Sequence, residues 1–463
     1  MWQHLARLAC LLLPVAVHAG ELKQHGFRER TEPRQGVLLA QAASTPPVRS
    51  HDTDSGRAVP GGGPDGPGVV PPPINFGRPG PPPPPPPASL PPFVPKQILL
   101  VVPLTSADDE TSALRQRFEL RVEDQAALES LGKLALLLSW SNKQDPVELT
   151  RQFDGELRRQ FGGEPPVSWA QLNWLYKPLT QASAASAGSD YASEMLNVEA
   201  LRGLASGQDV LVALVDTPVH QSHPEFAHAD IVNNLDVTGK DGGTDIHGTA
   251  VASPIVAASQ LSGLAPKAKL LVLGALMEHE KNLTAAQSFF MAKALDIAIK
   301  NCAQVINIAV ATASKEDELI NQLIDTAVQD GAVVVAANGE AGRNKRKSYP
   351  AALPNVIAVN AVDRDRRLFS RASTGSYISL AAPGVDVRVA CPPDKYCANN
   401  GSSIASGYVS AIAALILEKR SDLDAQGVRV LLERTAINLG DKEEYGKGLV
   451  NGVEALREAL AGR

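Results

Sequence analysis

The sequence predicts an α/β protein: a mostly parallel sheet with helices on both faces, preceded by a small α+β unit and a disordered Pro-rich segment. Three observations predict this. Uninterrupted apolar runs recur beyond residue 190, as "VLVALV", "AKLLVLGAL", "QVINIAV", "AVVVAA" and "VIAVNAV". Helical patterns such as "AAQSFFMAKALDIAIKNC" and "KEDELINQLIDTAVQDG" lie between them. Strands without polar alternation are covered on both faces, and the intervening helices supply the covers. Third, residues 20–95 contain GGGPDGPG and the proline run Pro81 to Pro87. Such sequence buries little and favours extended polyproline II, so it reads as a spacer.

The order along the chain follows. Residues 1–19 read as a signal peptide: Arg7, an apolar run from Leu8 to Val17, then Val17-His18-Ala19 as a small-residue cleavage site. The apolar run is short for a bilayer span, and no later stretch of the mature chain is long enough to cross. The expected address is export, to a periplasm or the outside. An exported chain can hold disulfides. Cys391 and Cys397 enclose Pro-Pro-Asp-Lys-Tyr, a turn-like loop, and are expected to pair. Cys302 precedes "AQVINIAV" and reads as a small core residue.

Residues 96–176 form the α+β unit. "QILLVV", "LALLLSW" and "VSWAQLNWLY" read as strands; "EDQAALESLG" and "PVELTRQFDGELRRQF" read as helices. Residues 177–189, rich in Ala, Ser and Gly, read as a linker, and the large domain occupies 190–460. With 463 residues and a net charge of −6, the chain has ample core and gives no argument for nucleic acid or an anionic membrane surface.

Three points carry chemistry. The first strand of the large domain ends in Asp216. "GGTDIHGTAVASPIVA" places His247 ahead of a small-residue helix, and "NNGSSIASGYVSAIAALIL" does the same for Ser403. In parallel α/β sheets, sites gather at the carboxyl ends of strands. A triad needs three roles: Ser403 attacks a carbonyl, His247 moves its proton to the leaving amine, and Asp216 orients the imidazole. Asp, His, Ser is a known chain order for it. Ser402 or Asn400 is left to cap the helix.

These residues resemble the subtilisin-like serine peptidases, the subtilase family. The matching pieces are Val212 to Asp216, His247 to Ala252 and Gly401 to Ala405, supported by "GLAPKAKLLVLGAL", "YPAALPNVIAVNAVD" and "LAAPGVDV". The resemblance implies a subtilisin-like fold and Asp216, His247 and Ser403 as catalytic residues. It implies no cofactor. Calcium sites occur in the family, but no acidic cluster here specifies one. The histidines His220, His223 and His228 lack carboxylate or cysteine support for a metal. The resemblance also gives residues 96–176 the part of a propeptide, an intramolecular inhibitor removed after Tyr176. The alternative is a permanent accessory domain.

The sequence departs from the family pattern in three places. The oxyanion-hole asparagine lies in a segment that here reads Ala336-Ala337-Asn338-Gly339-Glu340-Ala341-Gly342. Ungapped matching puts Glu340 there, while a local shift puts Asn338 there. Ala311 stands where the cleft segment usually has glycine, and Pro218 follows Thr217 where glycine is common. Two functions follow. The first is an exported serine endopeptidase acting on protein or peptide substrates through an acyl-enzyme on Ser403. The second is a weakened or inactive scaffold that binds peptides or a protein partner.

Overall fold

Strand formation begins where the proline-rich stretch gives way to "FVPKQILLVVP". The computed structural model describes residues 92–105, 108–162, 168–179, 181–183, 190–239, 246–279, 283–314, 317–343 and 346–462. The expected signal peptide, Cys10 and the Pro-rich segment up to residue 91 lie outside the described residues.

The N-terminal unit runs β1 (Phe93–Pro103), α1 (Asp108–Arg117), β2 (Arg121–Leu128), β3 (Lys133–Ser139), α2 (Pro146–Phe161) and β4 (Trp169–Pro178). Its strands pair in the order β2-β3-β1-β4, all antiparallel. Asp145 caps α2 by accepting from the Glu148 amide, Pro146 starts it, and Gly162 ends it at φ 59°. Leu149, Phe153 and Leu157 face the sheet. One expectation fails here. The helix expected over "EDQAALESLG" does not form: its first half is β2 and its second half a single 3-10 turn. Ala126 and Leu128 alternate with more exposed neighbours, and β3 pairs along the whole strand. Cross-strand pairing overrides the helix propensity of Glu, Ala and Leu.

The expected linker is also structured where it is described. β4 continues past Tyr176 to Pro178, and β5 (Gln181–Ser183) pairs antiparallel with β17 (Lys395–Asn400). Residues 184–189 lie outside the described residues.

The large domain continues through β6 (Leu211–Asp216), β7 (Asp230–Asp236), α3 (Ile246–Val256), β8 (Lys269–Gly274), β9 (Leu276–His279), β10 (Leu283–Gln287) and α4 (Ser288–Lys300). Then come β11 (Val305–Ile308), β12 (Val310–Ala311), α5 (Glu318–Gln329), β13 (Val333–Ala337), β14 (Ile357–Val362), β15 (Leu380–Pro383) and β16 (Val387–Cys391). After β17 follow α6 (Ser402–Lys419), α7 (Ala425–Thr435) and α8 (Gly452–Leu460). The central sheet has the order β15-β14-β13-β11-β6-β8-β7, and every pair in it is parallel.

Alternate residues of one strand enter different cores. Val212 and Leu214 join the cluster around α3 and α6; Leu211, Ala213 and Val215 join the one around α4 and α5. That is the two-sided burial the apolar runs require. The second cluster also contains Ile98, Leu100, Leu136 and Trp169, so the N-terminal unit shares a core with the large domain.

Cys391 and Cys397 are disulfide-bonded across the β16–β17 hairpin. Cys302 is not the small core residue expected. It sits half-buried in the turn after α4 at φ 55°, and among the described residues no cysteine is a free thiol.

Candidate active site

Three chain segments converge at the carboxyl end of the central sheet. β6 delivers Asp216, fully buried, at its last position. α3 delivers His247 in its first turn, and α6 delivers Ser403 in its own. Glycine lets α3 start so close to β6. A Cβ on Gly248 would lie 2.3 Å from the Thr217 carbonyl oxygen. The Gly248 amide instead donates to Thr217 Oγ1 at 2.8 Å. Farther along, a Cβ on Gly407 would lie 2.7 Å from Pro254, so α3 and α6 cross with little between them. The small residues in both helices serve that crossing.

His247 Nδ1 and Asp216 Oδ1 are 2.6 Å apart. The Thr217 amide donates to the same oxygen at 2.6 Å, and Pro218 packs against Gly274. Proline after Thr217 therefore leaves the Asp216 geometry in place. His247 Nε2, the atom that would take a proton, is buried without a hydrogen-bond partner. The Ser403 hydroxyl donates elsewhere, to the Leu179 carbonyl oxygen at 2.8 Å.

Leu179 directly follows β4, the strand that fills the cleft. Leu175 and Tyr176 of β4 pair with β10, and Lys177 and Pro178 pair with β12. Leu179 then packs against Ala311 and Ala337 in a small apolar cluster. The methyl of Ala311 therefore narrows this pocket without closing it to a leucine. Side chains of β4 reach the helices behind the cleft. Asn173 accepts from the Phe289 amide and Gln171 from the Leu319 amide, at the first turns of α4 and α5.

Neither Ser402 nor Asn400 caps α6. Gly401 occupies the N-cap, the Ser402 hydroxyl donates to the Asn338 carbonyl oxygen, and Asn400 Oδ1 accepts from the Asp386 amide. Ser406 bonds back to the Ser403 carbonyl at 2.8 Å and accepts from Asn307 at 3.1 Å, tying α6 to β11.

Hydrogen bonding separates Asn338 from Glu340. Asn338 Nδ2 donates to Asn360 Oδ1 and to the Ser373 carbonyl, each at 2.7 Å. Its Oδ1 accepts from the Tyr377 hydroxyl at 2.7 Å. An amide so engaged is not aimed at the cleft, which corrects the expectation for Asn338. Glu340 is the residue beside the site. Its side chain is 5% exposed, its Oε1 is buried without a partner, and its Oε2 lies 3.3 Å from Arg371 Nη2. Burial pushes its carboxyl up from the ordinary 4.5 to about 7, against the pull of Arg371, the Ser402 amide and His247.

Sequence reasoning missed Asp317, a buried carboxylate between the two units. It precedes an amphipathic helix and looks like an ordinary cap. The tyrosine that meets it is far away in the chain. Arg343 is exposed and pairs with Glu444 at 2.9 Å. Among the described residues no group of three His, Cys, Asp or Glu side chains is placed to hold a metal, and no helix is long and apolar enough to cross a membrane.

Known proteins match this arrangement. The profile of the Subtilase family matches residues 207–448. Subtilisin DY of Bacillus licheniformis is 36% identical over 258 residues, covering 54% of this chain and 91% of its own. M-protease of Shouchella clausii is 29% identical over 357 residues, covering 76% of this chain and 86% of its own, a span that reaches into the N-terminal unit. The crystal structure of fervidolysin from Fervidobacterium pennivorans, a keratinolytic enzyme related to subtilisin, superposes with a TM-score of 0.62 at 20% identity. That match covers 79% of this chain and 61% of fervidolysin, and it speaks to the fold alone. With more than half of the chain matched and this fold beneath it, the protein belongs to the subtilase family of serine endopeptidases.

Proposed function

We propose that the protein is an exported serine endopeptidase made as a self-blocked precursor, with Asp216, His247 and Ser403 as its triad. The observation that carries the reading is the seating of Leu179, its carbonyl oxygen 2.8 Å from the Ser403 hydroxyl. A peptide carbonyl stands at the nucleophile, the chain on its amino side lies as a strand between β10 and β12, and β5 continues beyond it. This is how a substrate would lie.

The geometry supports the following steps. The Ser403 hydroxyl turns from Leu179 toward His247 Nε2, which has no partner to displace. His247 takes the proton as Ser403 Oγ bonds to the Leu179 carbonyl carbon. Asp216 holds the opposite ring nitrogen and stabilises the imidazolium. The oxyanion faces the first-turn amides of α6 and the carboxyl of Glu340, which can donate a hydrogen bond when protonated. The C–N bond to Thr180 then breaks, and its nitrogen takes the proton from His247. Water hydrolyses the acyl-enzyme by the same relay. Residues 93–179 act as the inhibitor, and the bond cut is Leu179–Thr180, beyond the Tyr176 boundary expected from sequence. Export rests on the apolar N-terminal run.

The test is fluorophosphonate labelling of the purified chain beside Ser403→Ala, with mass analysis of the termini. Labelling of the parent alone, with a new N-terminus at Thr180, supports the reading. A folded, intact and unlabelled parent sinks it and leaves the binding scaffold, which the engagement of the Ser403 hydroxyl with Leu179 would then explain.

A further inference from the structure

Tyr176 is 1% exposed, and its hydroxyl donates to Asp317 Oδ2 at 2.7 Å. Asp317 is itself 2% exposed. Its Oδ1 accepts from Gln171 Nε2 at 2.7 Å and from the Ile320 amide at 3.3 Å, and its Oδ2 also accepts from the Ser288 hydroxyl. Ser288 is fully buried at the start of α4 and Asp317 caps α5, so the acceptor is fixed by two helices of the large domain. The residues between this contact and the cut differ in character. Lys177 is exposed, Pro178 half-buried, and Leu179 fills the pocket of Ala311 and Ala337.

A strand lying between β10 and β12 therefore meets two demanding positions. One accepts an aliphatic side chain at the cut. The other, at the place of Tyr176, ends in a carboxylate oxygen that lies out of reach of solvent once the strand is seated. A phenylalanine there fills the same volume but brings no donor, and a buried acceptor left short of a partner is costly.

We propose that Asp317 is a specificity-determining residue that selects extended polypeptides carrying a tyrosine hydroxyl at this position, with two loosely held residues and then a leucine-sized residue before the cut bond. The proposal rests on the peptidase reading above. Sites built to bond a substrate hydroxyl reject the analogue lacking it far more strongly than apolar pockets reject a changed methylene.

The test uses the self-processed full chain, diluted until the released N-terminal unit has dissociated, and two quenched fluorescent peptides. One is Leu-Tyr-Lys-Pro-Leu-Thr-Gln-Ala-Ser, the chain's own residues 175–183; the other replaces its Tyr by Phe. The Tyr peptide is expected to show kcat/KM about 10–100-fold higher than the Phe peptide. Asp317→Asn keeps an oxygen to cap α5 but offers an amide on the other arm. It should bring the ratio toward unity by lowering kcat/KM for the Tyr peptide much more than for the Phe peptide, which a general loss of structure would not do. Equal rates for both peptides on the parent overturn the selectivity and leave the peptidase reading standing; this comparison needs no variant. An unaltered ratio in a folded Asp317→Asn also overturns it. Cleavage of neither peptide overturns both readings.

Discussion

Replacing Glu340 by glutamine should change how the enzyme responds to pH more than how it folds. The carboxyl is buried at the cleft with Oε1 unpartnered and titrates at about 7. Below that pH it is neutral and can donate to an oxyanion; above it the carboxylate repels the same charge. kcat/KM of the parent should then fall about tenfold per pH unit above neutrality. The fall should level off after about 10²–10³, the figure known for a subtilisin that has lost its oxyanion donor, because the first-turn amides of α6 remain. A glutamine amide has no titrating proton, so the Glu340→Gln profile should stay flat across the same range. Stability offers a second reading with its own sign. The folded carboxyl binds its proton more tightly than an ordinary glutamate, so the parent loses stability as pH rises from 4.5 through about 7. At about 1.4 kcal/mol per unit, the penalty above neutrality is about 3 kcal/mol. Glu340→Gln should relieve it at alkaline pH and give nothing below pH 4.5. Peptide hydrolysis and urea unfolding, each measured across the range, provide the two readings. Parallel alkaline declines in parent and variant would refute the reasoning, as would a parent profile with no break near neutrality.

Other outcomes follow from the same contacts. Gly248→Ala drives a methyl into the Thr217 carbonyl and should pull His247 from Asp216, lowering kcat by about 10²-fold or more with KM little changed. Ala311→Gly removes the methyl beside Leu179 and should raise cleavage after Phe relative to Leu by about 10-fold in kcat/KM. Serine at both Cys391 and Cys397 opens a short loop, bridged at a sequence separation of 6; thermal unfolding should show a loss of about 2 kcal/mol with kcat unchanged at low temperature.

Much of this was legible in the residues. Apolar runs without alternation marked the central strands, because two-sided burial leaves no room for polar positions. His247 and Ser403 stood out because their helices are made of small residues, and Gly248 and Gly407 show what that smallness permits. Other features were hidden because long-range contacts decide them. β2 has helix-forming residues and becomes a strand only because β3 lies beside it. Asn338 and Glu340 were interchangeable by spacing, and the partners Asn360, Ser373 and Tyr377 separate them. Residues 177–179 read as the start of a linker until β12 pairs with Lys177 and Pro178, and β17 with the β5 that follows.

That strand has a consequence for how activity depends on amount of protein. While the chain is intact, the segment filling the cleft cannot leave its neighbourhood, and its local concentration is on the order of millimolar or more whatever the bulk concentration. The proposed hydrolysis of the one bond after Leu179 would convert a first-order opening into a two-body equilibrium. The shared core would still hold the pieces together, but their association would then follow mass action. A processed preparation should therefore remain silent when concentrated and wake on dilution, so that the volume surrounding the protein would become part of its control.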